Sequence, residues 1–92
     1  MSFETWLNDA QILLIDDDPG IVDVMVRMLR ADGFGQVETV SSPLQAPDVF
    51  RALQPDLVVL DYHMPQVNGL MLLEELKGII GPSSFVPVVM MT

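Results

Sequence analysis

Two apolar runs in this chain end on aspartate. Gln11–Ile15 (QILLI) stops at Asp16, Asp17 and Asp18, and Asp56–Leu60 (DLVVL) stops at Asp61. A third stretch, Phe85–Met91 (FVPVVMM), stops at the hydroxyl of Thr92. A short continuous apolar run that breaks off at a carboxylate reads as a buried strand reaching a polar rim. If the first two runs are neighbours in one sheet, Asp16, Asp17 and Asp61 converge on one crevice. Carboxylates packed that closely raise one another's pKa, and a cation relieves the repulsion. An all-oxygen ligand set that leaves room for waters suits Mg²⁺. A carboxylate beside such a cation can attack a phosphoryl group, because charge growing on the phosphoryl oxygens is offset. Thr92 could place its hydroxyl on the same crevice.

The intervening segments read as the elements that would hold these groups in place. Residues 1–10 form a short, irregular lead-in, an N-terminal extension to a domain spanning 11–92. Pro19 suits the first turn of a helix, where its missing N–H is no loss, and Asp18 before it can cap that helix. Ile21, Met25, Met28 and Leu29, widened by Val22 and Val26, recur at helical spacing, and Gly33 supplies a stop. Gln36–Val40 (QVETV) is alternating and β-branched, a second strand. Ser42-Pro43 repeats the cap-plus-proline signal and opens a helix through Leu53, with Pro47 near its first turns and Gln54-Pro55 ending it. Tyr62–Gly69 is a loop with Pro65 and Asn68-Gly69 as turn formers. Leu70–Ile80 is a helix with Leu72, Leu73, Leu76 and Ile80 as its apolar face, followed by a turn over 81–84. The order β-α-β-α-β-α-β implies right-handed crossovers and a doubly wound parallel α/β sheet with helices on both faces. In such sheets ligands bind beyond the carboxyl ends of the strands, where the strand order reverses.

Composition bounds the rest. Half of the 92 residues are hydrophobic and 18% are charged, which excludes a disordered chain. The apolar runs are far shorter than the roughly 20 residues of a membrane span. The amino terminus has no basic, secretory-type leader. The absence of cysteine excludes disulfides and thiolate metal sites and fits a cytoplasmic setting. Thirteen acids against four bases give a formal charge of −9, which repels nucleic-acid backbones and favours a cation or a partner with a basic face.

Three segments resemble one known family. LLIDDDPGIVDVMVRML is similar to the first strand and helix of the response-regulator receiver domains of bacterial two-component systems. DLVVLDYHMPQVNG is similar to their phosphoacceptor strand and loop, in the pattern D-x-x-M-P-x-x-[DN]-G, and VPVVMMT to their fourth strand with its terminal Thr. The resemblance implies a flavodoxin-like receiver fold in which Asp61 accepts the phosphoryl group. It implies Mg²⁺ held by Asp17, by Asp16 through water, by Asp61 and by the backbone carbonyl of His63. Thr92 would hydrogen-bond the phosphoryl group and draw its loop inward as a switch. The donor would be a phosphohistidine on a sensor histidine kinase or phosphotransfer protein, and the phosphoryl group would later be lost to water. That is a phosphoacceptor with self-phosphorylation and autodephosphorylation rather than a turnover enzyme.

The sequence also departs from the family. Receivers of this kind continue with a fourth helix, a fifth strand ending in a Lys, and a fifth helix, so the chain reads as a receiver truncated after its fourth strand. Lys77, its only lysine, lies on the helix before that strand and cannot be the missing one. The main alternative is therefore a phosphorylation-impaired fragment that acts as an interaction module, a homodimer or domain-swapped oligomer formed through exposed apolar sheet face and an open edge. Asp16 and Asp18 also have the D-x-D spacing of haloacid-dehalogenase-type phosphatases, but Gly20 stands where those carry Thr or Val. An EF-hand loop fails at Pro19-Gly20 and at Ile21. Asp18 is read as a helix cap rather than a ligand. Met90 and Met91 are read as strand packing, Phe3 and Trp6 as a hydrophobic patch, Tyr62 as a loop aromatic, and Glu74-Glu75 as a solvated helix face.

Overall fold

The computed structural model describes residues 3–62, 64, 67–81 and 84–91. The elements are α1 (Phe3–Asp9), β1 (Gln11–Ile15), α2 (Pro19–Ala31), β2 (Gln36–Val40), a 3₁₀ turn (Pro43–Gln45), α3 (Ala46–Leu53), β3 (Leu57–Asp61), α4 (Gly69–Ile80) and β4 (Val88–Met91). The strands form one parallel sheet in the order β2-β1-β3-β4. This is the doubly wound flavodoxin-like arrangement expected from the sequence, with β1 and β3 as central neighbours.

Side-chain alternation along the strands divides the core into two layers. Leu13, Ile15, Val58 and Leu60 point to one face, where Phe50 of α3 and Leu72 and Leu76 of α4 cover them. Ile12, Leu14 and Val59 point to the other, under Val22, Met25, Val26 and Leu29 of α2. Burial on both faces explains why β1 and β3 read as unbroken apolar runs rather than alternating ones. The helices change face on passing β1, so the strand order reverses between β1 and β3, and their carboxyl ends open on a crevice. The two methionines of β4 divide as the pleat requires, with Met90 against the first layer and Met91 against the second.

Three local expectations are corrected. The lead-in is not irregular, because Phe3–Asp9 is helical. The segment opened by Ser42 is not one helix: a 3₁₀ turn over Pro43–Gln45 precedes α3, and Ser42 makes no side-chain cap. Pro47 is the cause, since it has no N–H to give to the preceding turn and its ring crowds the carbonyl there. It is accommodated only in the first turn of a helix that starts afresh at Ala46. The last strand begins at Val88 rather than Phe85, and Phe85 is 87% exposed. The neighbouring Pro87 lends only its carbonyl, which accepts from Val58 N–H at 3.0 Å.

Candidate functional site

β1 delivers Asp16 to the crevice one residue beyond its last rung. The Asp16 N–H donates to the Val40 carbonyl at 3.1 Å, which extends the β1–β2 ladder and fixes the backbone there. The chain then turns sharply. Asp18 N–H donates to Asp16 Oδ1 at 2.9 Å. Asp18 Oδ1 in turn accepts from the N–H groups of Gly20, at 2.9 Å, and Ile21, at 3.3 Å. Asp18 is thus the cap of α2, as expected, and its carboxylate is spent on the helix end rather than the crevice.

β3 delivers Asp61 as its last residue, in register with Met91 of β4, and Tyr62 N–H donates to the Met91 carbonyl at 2.9 Å. Asn68 caps α4, its Oδ1 accepting from Leu70 N–H at 2.8 Å. The next residue, Gly69, presses on the acceptor strand. A Cβ there would stand 2.9 Å from Tyr62 Cα and 3.2 Å from the Asp61 carbonyl oxygen. Sequence reasoning noted Asn68-Gly69 only as a turn. The packing role of the glycine follows from α4 closing over the end of β3, and the turn dipeptide was its one visible signal.

The two segments bring Asp16, Asp17 and Asp61 together, with one carboxylate oxygen from each lying within 4.8 Å of the others. Asp16 is 1% exposed, and among the described residues its Oδ2 has no hydrogen-bond donor. Burial pushes the Asp16 carboxyl above its ordinary value. The Asp18 N–H opposes this, while the charge of Asp61, a hydrogen bond shared with Asp61 and the charge of Asp17 add to it.

Among the described residues, the four bases lie elsewhere. Arg27, Arg51 and Lys77 pair with Asp23, Asp48 and Glu74 on their own helices, at 3.1, 3.3 and 3.8 Å. Arg30 lies in the last turn of α2, at the far end from the crevice. A buried carboxylate oxygen without a donor, facing two further carboxylates, is the donor set a hard divalent cation requires. The residues present therefore fit Mg²⁺. The two remaining predicted groups, the His63 carbonyl and Thr92, lie outside the described residues.

The family of response regulator receiver domains matches residues 12–92 of the sequence. The chain belongs to that family. This receiver is similar to the DNA-binding response regulator MtrA of Mycolicibacterium smegmatis, with 37% identity over 82 residues covering 89% of this chain and 34% of that protein. It spans about a third of the length of such curated relatives. Among solved structures it is similar to the N-terminal domain of a response regulator receiver protein from Methanoculleus marisnigri JR1. The identity there is 38% and the TM-score 0.78, covering 91% of this chain and 67% of that one. The BeF₃-activated N-terminal receiver domain of RstA from Klebsiella pneumoniae aligns at 26% identity and a TM-score of 0.75, covering 87% of this chain and 64% of that one.

Proposed function

We propose that this receiver is the phosphoacceptor module of a two-component relay, with Asp61 as the acceptor. The observation that carries the reading is the meeting of Asp16, Asp17 and Asp61 at the switch point of a receiver sheet, with a buried Asp16 oxygen left without a donor. Asp16, Asp17 and Asp61 would hold Mg²⁺, joined by the His63 carbonyl. When bound, the ion would offset negative charge on the phosphoryl oxygens and on the carboxylates that face them. An Asp61 carboxylate oxygen bonds to phosphorus as the phosphorus–nitrogen bond to a donor imidazole breaks. The electron pair stays on the departing nitrogen, which takes up a proton. The donor is a phosphohistidine on a sensor kinase or phosphotransfer protein, and Thr92 reads the loaded state through its hydroxyl to switch an output domain or partner. Hydrolysis at phosphorus then returns Asp61 to a carboxylate. The proposed setting is the cytoplasm, and the acidic surface makes nucleic acid an unsuitable direct ligand for this domain.

The test is incubation with acetyl phosphate or beryllofluoride, with and without Mg²⁺, followed by intact-mass and acyl-phosphate analysis. Modification should require Mg²⁺ and disappear in Asp61→Asn. Undiminished modification of Asp61→Asn would remove the assignment.

A second reading, self-association, is favoured by exposed apolar side chains on the α2 face of the sheet and on α2 itself. Val59 and Val89 are paired residues on the side of the sheet that α2 covers. Val89 is nonetheless 51% exposed, and Ile21, Val24 and Met28 on α2 are 46%, 55% and 57% exposed. A homodimer or domain-swapped oligomer through this face and the β4 edge predicts a concentration-dependent mass in light scattering. A constant monomer mass would exclude it.

A further inference from the structure

The segment before β1 is seated on the turn that joins α2 to β2. Gly35 N–H donates to the Leu7 carbonyl at 3.4 Å. Leu7 lies over Gly33, where a Cβ would stand 3.2 Å from Leu7 Cδ1, and Gly33 has a φ of +106°, open mainly to glycine. At Gly35 a Cβ would overlap Asn8 Oδ1 and lie 2.9 Å from the Asn8 carbonyl oxygen. The helix fits this turn only because residues 33 and 35 carry no side chains. Its last turn runs through the Ala10 N–H, which donates to Trp6 O at 2.8 Å, into the buried Ala10 and then β1.

The seat is what orders the helix. Seven residues are well below the 12–15 or so at which a helix becomes even marginal alone. Among the described side chains, little of this helix is buried. The tying hydrogen bond is long, Leu7 is half-buried, and Thr5, Trp6 and Asn8 face solvent, Trp6 with 48% of its surface. Segments with little buried apolar surface open at small free energy without unfolding the rest. The acidic crevice lies at the opposite, carboxyl end of the strands.

We propose that α1 is a releasable clasp. Docked, it covers the Gly33–Gly35 turn and the amino ends of β1 and β2. Released, it opens that end of the domain while the sheet and the acidic crevice stay folded.

Amide hydrogen exchange on the full chain tests this, with the single tryptophan, Trp6, as an optical reporter. In the wild type, residues 6–10 should exchange at least about tenfold faster than the centres of β1 and β3, because they open locally. Gly35→Ala should remove the remaining protection of residues 6–10 and shift Trp6 emission to the red. Protection in β1 and β3 and the thermal response to Mg²⁺ should stay as in the wild type. Leu7→Ala, which adds no bulk, should do the same. Unchanged protection of residues 6–10 in both variants would overturn the seat. Joint loss of protection in residues 6–10, β1 and β3 in Leu7→Ala would overturn the clasp by making α1 part of the global core.

Discussion

Asp16→Asn should make the metal-free domain more stable at neutral pH. The substitution keeps an oxygen to accept from Asp18 N–H and replaces the donorless Oδ2 by an NH₂ group, which can donate to the Asp61 carboxylate. At an effective dielectric constant of about 20, two carboxylates at the 4.8 Å limit of this cluster repel by about 3.5 kcal/mol. Proton uptake limits that penalty, since each unit by which a pKa is raised corresponds to about 1.4 kcal/mol. Asp17 and Asp61 are also partly solvated, which weakens the repulsion further. The expected gain is therefore about 1–3 kcal/mol, or at least about 5 °C in Tm for a domain of this size. The sign with pH follows from the raised Asp16 pKa, caused first by burial. The folded state binds this proton more tightly than the unfolded state, so wild-type stability falls as pH rises from the ordinary carboxylate value of 3.8 through the raised one. The advantage of Asp16→Asn should be smallest near pH 4 and grow as pH rises above 3.8. Thermal unfolding by circular dichroism across this range, with and without millimolar MgCl₂, measures all of it. Mg²⁺ should stabilise the wild type and have much less effect on the variant, because binding to the folded state alone adds stability. A variant no more stable than the wild type at neutral pH without divalent cations would refute the reasoning, as would equal stabilisation of both by Mg²⁺.

The other predictions concern the frame around the crevice. Asp18→Ala should lower stability by about 1 kcal/mol by leaving the N–H groups of Gly20 and Ile21 without their acceptor, and chemical denaturation will read it. Gly69→Ala should push α4 away from Tyr62 and the Asp61 carbonyl at a cost of about 1–3 kcal/mol. It should also slow phosphorylation of Asp61 by acetyl phosphate more than Gly78→Ala does, because a Cβ at Gly78 meets nothing within 4 Å. Leu76→Ala, at a fully buried position between α4 and the sheet, should destabilise by about 2–5 kcal/mol in the same denaturation assay.

Much of this protein is written in local sequence. The runs at Gln11–Ile15 and Leu57–Leu60 are apolar without alternation because both faces of a central parallel strand are covered, and that pattern needs no structure to read. Asp18-Pro19 announces a helix start because the N–H donors that its carboxylate satisfies lie within three residues of it, whereas Asn68-Gly69 read only as a turn and proved to be the cap and first residue of α4. The three aspartates were legible as a site because each stands where an apolar run stops. What tertiary structure decided is of another kind. Residues 3–9 do place Phe3, Trp6 and Leu7 at helical spacing, but they are too few to form a helix unaided. They are ordered by the seat at Gly33 and Gly35, some 25 residues further on, a distance set by the α2 crossover and visible in no local window. The donorless Asp16 oxygen, likewise, exists only because β1 and β3 are neighbours. Local sequence specified which groups stand at the ends of the strands. The strand order decided which of them meet, and burial at that meeting point is what lifts the Asp16 carboxyl above an ordinary aspartate.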